Sequence, residues 1–174
     1  SLPARRVGGD FFDYINNKDG NNIGFVIADA TGKGLHSSIF MTNSKSIFKV
    51  LTTEENSPAK VIRKTNDLVV SNMDTSTAMF ATMFYGIYDK KRKVFRYSNA
   101  GHDPPLYVDG SSFKVELLNS HGYPIGIYEN QPYGEDEIKM KKGDSIVLYT
   151  DGVVEAMDDG GAMFGMERLK ELVL

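Results

Sequence analysis

Hydrophobic and polar positions change rhythm twice along this chain. Residues 7–15 form a first apolar-rich piece. Polar residues follow at 16–22, where Asp19-Gly20 is a hairpin signal. Residues 23–28 read as a buried strand that stops at Asp29. After Thr31-Gly32-Lys33-Gly34 the period becomes helical: Leu35, Ile39, Phe40, Ile47, Phe48, Val50 and Leu51 recur at that spacing. Ser57 before Pro58 reads as an N-cap followed by proline at the first helical position. It predicts a second helix to about Ser71, with Val61, Ile62, Leu68 and Val69 facing inward. Beyond Met79 the runs 81–88, 94–98, 105–108, 113–118, 135–140 and 145–149 read as strands bounded by turn residues. Asp109-Gly110 is a second hairpin signal, and residues 166–173 predict a short closing helix. Strands, two helices, then many strands predict an α+β fold with largely antiparallel sheets, not a doubly wound parallel sheet.

Totals narrow the class. A chain of 174 residues suits a single domain spanning 1–174. With 41% hydrophobic and 25% charged residues, a soluble globular protein is the expectation. The net charge is −3, and the densest basic stretch, Lys90-Lys91-Arg92-Lys93, falls between two strands as a turn, so no nucleic-acid partner is expected. Cysteine is absent, which removes a disulfide framework and a thiol nucleophile and fits a cytoplasmic setting. No apolar run reaches the ~18 residues of a membrane helix, and no signal peptide opens the chain. The start, Ser1-Leu2-Pro3, reads as that of a piece cut from a longer protein.

Three aspartates carry the chemistry. Asp10, Asp29 and Asp151 each sit where a strand is expected to end, beside small residues: Gly8 and Gly9, Ala30 and Gly32, and Gly152. Such a carboxylate is costly to bury unless it is paired or binds metal. Singly, each reads equally as a cap or turn former; three together point to a shared site. Carboxylates without cysteine and with few histidines suit Mg²⁺ or Mn²⁺ rather than zinc. Two such ions permit phosphate-ester hydrolysis without a protein nucleophile. Gly32-Lys33-Gly34 opens a helix and offers an anion site or a plain turn. It is not a Walker A loop. His102, in Gly101-His102-Asp103-Pro104-Pro105, reads as part of a structural turn near the site. Ser37 and Ser38 lack a Gly-x-Ser-x-Gly elbow.

Four stretches occur in an ordered set: Val7-Gly8-Gly9-Asp10-Phe11-Phe12-Asp13, Ala28-Asp29-Ala30-Thr31-Gly32-Lys33-Gly34, Ser98-Asn99-Ala100-Gly101-His102-Asp103-Pro104-Pro105, and Leu148-Tyr149-Thr150-Asp151-Gly152-Val153-Val154-Glu155-Ala156. With Phe164-Gly165-Met166-Glu167-Arg168-Leu169 they resemble the SpoIIE-type bacterial branch of the protein phosphatase 2C family over nearly the whole chain. The resemblance implies two antiparallel sheets packed as a sandwich and flanked by helices. It implies a site with two Mn²⁺ or Mg²⁺ ions and a metal-bound hydroxide that attacks phosphorus. By match, Asp29 would bridge both ions, Asp10 and the Ala30 carbonyl would hold one, and Asp151 the other. Gly32, Lys33, Gly34, His102 and Gly152 would lie near the phosphate. The implied activity is hydrolysis of phosphoserine or phosphothreonine on a regulatory partner, such as an anti-sigma-factor antagonist. An N-terminal sensor or receiver module is the implied regulator, and the two helices after Asp29 resemble the family's switch element.

The family pattern runs past Leu174, where a later strand carries an Asp-Asp pair, and a first strand is expected before Ser1. The chain therefore reads as truncated at both termini, with the ion opposite Asp10 expected to bind weakly or not at all, and with open sheet edges that invite pairing with a second chain as a homodimer. Asp158 and Asp159 read as an exposed turn, not as replacements. Ala30-Thr31 stands where the family often has Val-Ser, and Asp103 where it has Asn. Three alternatives stay open: a catalytically weak or inactive protein-interaction module of the same fold, a receiver-like phosphoacceptor domain, and a small-molecule phosphoesterase.

Overall fold

The first rhythm becomes a hairpin. The computed structural model describes residues 9–16, 20–32, 34–72 and 79–174. In it β1 (Phe11–Asn16) pairs antiparallel with β2 (Asn22–Ala30). Val7, Gly8, Asp19 and Lys33 lie outside the described residues. The chain continues through α1 (Leu35–Leu51), α2 (Pro58–Asn72), β3 (Ala81–Asp89), β4 (Val94–Ala100), β5 (Leu106–Asp109), β6 (Lys114–Leu117), β7 (Asp136–Lys139), β8 (Ser145–Val147), α3 (Asp151–Val154) and α4 (Met166–Val173). Among the described residues there are two sheets, ordered β1-β2-β3-β4-β7 and β6-β5-β8, with antiparallel pairings throughout. This is the expected α+β class. The chain divides into two compact units, 1–102 with 120–139, and 103–119 with 140–174.

In the first unit, strand alternation sends two sets of side chains to opposite faces of the five-stranded sheet. One set (Phe11, Val26, Ala28, Ala30, Ala81, Met83, Tyr85, Ile87 and Ala100) packs with Phe40, Met41, Phe48 and Leu51 of α1 and Val61, Ile62 and Val69 of α2. The opposite face carries a stack of Phe84, Phe95 and Tyr97, with ring centroids 5.5 to 6.4 Å apart. Gly86 lies under this stack, where a Cβ would fall 2.1 Å from the Phe95 ring. Phe95 is buried and cannot swing away freely. Gly86→Ala is therefore expected to cost about 1–3 kcal/mol by overpacking. That lowers the melting temperature by about 2–12 °C, read by circular dichroism. A melting point unchanged by the methyl group would show that the ring relaxes without cost.

Ser57 caps α2 as expected, accepting the Lys60 N–H at 3.3 Å. A second cap comes from Glu135, whose Oε2 accepts the Ser57 hydroxyl at 2.6 Å and the Ala59 N–H at 3.2 Å. Arg96 lies 3.4 Å from the other oxygen.

Several expectations need correction. Leu68 is 43% exposed, not inward. The neighbouring inward position is taken by Asn66, wholly buried, whose Oδ1 accepts the Gly126 N–H at 3.0 Å while Nδ2 donates to the Tyr128 carbonyl at 2.8 Å. On α1, Leu35, Ile39 and Val50 are exposed, and the buried stripe includes Ser37 and Ser44. Their hydroxyls donate to the Gly34 and Phe40 carbonyls, which makes burial tolerable. β2 does not stop at Asp29 but runs through Ala30. β8 ends at Val147, so Asp151 does not terminate a strand; it opens α3.

In the second unit, Leu106, Tyr149 and Leu169 form a small core. Asp109 makes the expected hairpin turn, its Oδ1 accepting the Ser111 and Ser112 N–H groups and the Ser111 hydroxyl. The Ser111 hydroxyl, first, and these amides hold its carboxyl well below the ordinary range. Asp144 accepts from Lys141 N–H, Gly110 N–H and the Tyr107 hydroxyl. Burial, reinforced by that last bond, pushes the Tyr107 phenol up to about 12. Asp158 accepts two local N–H groups in an exposed turn, as read from sequence.

Candidate functional site

One end of the five-stranded sheet gathers the chemistry of the first unit. The β1–β2 register ends with Phe11 opposite Ala28, so Asp10, the residue before β1, lies at the same end of the ladder as Asp29. Asp29 itself pairs with Thr82 across β2 and β3. The β3–β4 register ends with Met83 opposite Ala100, and Gly101 leaves β4 at this same end. Asp29 and Thr82 are thus a paired couple at the sheet end, with Asp10 and Gly101 in the segments that adjoin β1 and β4 there. Because Ala28, Ala30, Ala81 and Met83 face the helices, Asp29 and Thr82 face the other side. Asp10 is exposed and Asp29 half-buried.

Gly9 is buried against Ala30, and a Cβ there would stand 3.2 Å from the Ala30 carbonyl oxygen. Two carboxylates and a carbonyl are an oxygen-only donor set, which fits Mg²⁺ or Mn²⁺ completed by water. Among the described residues no group of three or more histidines or carboxylates converges on a metal position.

The remaining candidates are placed as follows. Thr31, after Ala30, donates both its N–H (2.9 Å) and its hydroxyl (3.1 Å) to the Phe80 carbonyl, fixing the exit from β2. Gly32 and Gly34 have φ of 80° and 97°, in the region that favours glycine. Gly34 N-caps α1, and its carbonyl accepts the Ser37 and Ser38 hydroxyls at 2.9 and 2.8 Å. Those hydroxyls are turned back onto the loop. His102 is 3% exposed. Its N–H donates to Asn99 Oδ1 at 2.8 Å, its carbonyl accepts from Asn99 Nδ2 at 3.0 Å, and its Nδ1 lies 2.8 Å from Thr82 Oγ1. The structural-turn expectation for His102 matches this clamp. Asp151 and Gly152 belong to the second unit, as the exposed first residues of α3. An acidic residue there also suits the helix dipole. Thr82 and Asn99 carried no chemical signal in the sequence, although Asn99 lies inside one of the ordered stretches.

Comparisons with known proteins identify the family and the fold. The family described as Stage II sporulation protein E (SpoIIE) matches residues 19–174. Phosphoserine phosphatase RsbU of Bacillus subtilis is 34% identical over 161 residues, covering 92% of this chain and 47% of RsbU. The SiaA-PP2C domain of Pseudomonas aeruginosa superposes with a TM-score of 0.83 at 21% identity, covering 98% of this chain and 67% of that one. RsbX, solved in complex with magnesium, superposes with a TM-score of 0.69 at 16% identity, covering 86% and 69%. The chain spans less than half the length of the curated relatives it matches, at 47%, 30% and 41%. It belongs to the SpoIIE family, with the fold of PP2C phosphatase domains.

Proposed function

We propose that this chain is the catalytic part of a metal-dependent phosphatase acting on phosphoserine or phosphothreonine of a regulatory protein. The observation that carries the reading is the placement of Asp10, the residue before β1, and Asp29, in β2, at the same end of the β1–β2 ladder. Family membership and the likeness to a named phosphoserine phosphatase support the reaction class. The magnesium complex of a protein of the same fold supports a hard divalent ion.

Asp10, Asp29 and the Ala30 carbonyl would hold one Mn²⁺ or Mg²⁺. Asp151 is proposed for a second, on the resemblance alone. Bound metal supplies an activated water and neutralises phosphate oxygens. The chain's own part is to hold the two carboxylates at fixed spacing on a sheet end. It also keeps Gly9 small, and it presents the first turn of α1 beside them, where Gly32 and Gly34 shape the approach. No cysteine is present to offer a thiol nucleophile, so direct attack by water fits. The proposed partner is a phosphoprotein of the anti-sigma-factor antagonist type, met in the cytoplasm, with a sensor or receiver module upstream and a homodimer as the assembly. No described helix is long and apolar enough to cross a membrane.

A second reading, a weakly binding interaction module, draws on the lack of a three-carboxylate group among the described residues. Phosphate release separates the two. The phosphatase reading expects Mn²⁺-dependent release from a phosphoserine protein and none after chelation. Mn²⁺-independent release, or none at saturating Mn²⁺, would sink it.

A further inference from the structure

Thr82 stands directly opposite Asp29 in the β2–β3 ladder, on the same face of the sheet. Cross-strand neighbours of this kind have Cβ atoms roughly 4.5–5.5 Å apart. What Thr82 does with its side chain therefore limits what Asp29 can do with its own. Thr82 Oγ1 lies 2.8 Å from Nδ1 of the buried His102 and 3.4 Å from the Asp29 carbonyl. The first distance is that of a firm hydrogen bond; the second is long for a hydroxyl. The threonine rotamer is thus set by the histidine.

His102 is itself immobile. Asn99, wholly buried, grips its main chain from both sides. The Asn99 N–H in turn donates to His121 Nδ1 at 3.2 Å, and the His121 ring packs on Tyr97 with centroids 5.2 Å apart. Gly101, at φ 69°, turns the chain so that His102 returns to the sheet end. Its missing side chain admits Pro124, whose ring carbons would lie 2.8 Å from a Cβ. Polar groups this deep have to be satisfied, but one histidine ring nitrogen aimed at a threonine beside the candidate ligand exceeds what closing a turn requires.

We infer that His102, acting through Thr82, is a positioning residue that fixes the Asp29 carboxylate in its metal-holding orientation. The inference rests on the phosphatase reading of the same site. Asn99 supports the histidine, the histidine sets the threonine, and the threonine is the cross-strand partner of the aspartate. Partners one step outside a metal's ligands commonly change its affinity 10- to 100-fold.

The test is Mn²⁺ binding by calorimetry on the full 174-residue chain, with melting temperature measured in parallel. Thr82→Val keeps shape and removes the hydroxyl; Thr82→Ser keeps the hydroxyl. Expected are a Mn²⁺ affinity about 10-fold weaker for Thr82→Val, near-native affinity for Thr82→Ser, and no further loss when His102→Gln is added to Thr82→Val. Native affinity in Thr82→Val, with Asp29→Asn clearly weakened, would overturn the positioning role and leave the phosphatase reading standing. Mn²⁺ binding that does not depend on Asp29 at all would overturn the reading, and this inference with it. If His102→Gln does not fold, the two threonine variants decide alone.

Discussion

Asp29→Asn is expected to lower Mn²⁺-dependent phosphate release by at least about 100-fold, the upper end of what losing even an outer partner of a metal ligand costs. The amide has the shape of the carboxylate and none of its charge, so the substitution tests charge rather than packing. The accompanying stability makes the result diagnostic. Asp29 is half-buried near the end of β2. Exchanging its carboxylate for an amide of the same shape should leave the metal-free melting temperature close to that of the parent chain. Activity falling while stability holds identifies a functional carboxylate. Asp10→Asn should show the same pair of results, and the double variant should add little, because both carboxylates act through one ion. Activity that survives Asp29→Asn, or that falls only in step with unfolding, would remove Asp29 from the site. Rates are read by phosphate release, and stability by far-ultraviolet circular dichroism in chelator.

The order of elements was legible because each carries a local cause. Ser57 and Pro58 announce α2, Asp109-Gly110 a hairpin, and the apolar alternation after Met79 the run of strands. What was not legible depends on contacts between distant segments. Glu135 caps α2 from 78 residues away, and nothing near Ser57 points to it. Leu68 looks like a core residue by hydropathy, yet Asn66 takes the buried place because the 126–128 loop offers it a donor and an acceptor. Leu35 and Ile39 follow helical spacing too, but the sheet meets a different stripe of α1. Periodicity shows that a helix has a face; it does not show which face another element covers.

The site divides the same way. Asp10 and Asp29 stood out as aspartates among small residues, and the β1–β2 pairing then brings them to the same end of the sheet. Asp151 stood out for the same reason, but its local cause is different: it opens the one-turn helix α3 after β8 has ended. Thr82 could not be found from sequence. A threonine inside a strand is ordinary, and its place beside Asp29 exists only once β2 and β3 are paired. A carboxylate next to glycine is visible in one dimension, whereas the group that orients it is visible only in three.

The largest stability effect should come from α1. Phe48 is fully buried between helix and sheet, edge-on to Tyr85 with centroids 4.9 Å apart and tilted on Phe11 at 6.5 Å. Phe48→Ala removes a ring from a place where backbone on two sides resists collapse. A loss of about 3–5 kcal/mol is expected. For a chain of this length that lowers the melting temperature by about 6–20 °C. Phe12 provides the contrast. It is one residue along β1 from Phe11, equally apolar in sequence, but it points away from the helices and is 74% exposed. Phe12→Ala should stay within about 0.5 kcal/mol. If the two variants melt together, the α1–sheet contact is not what holds the first unit. If they separate as expected, α1 is fastened through Phe48 to the strand that begins one residue after Asp10, and the position of that carboxylate depends on the same ring.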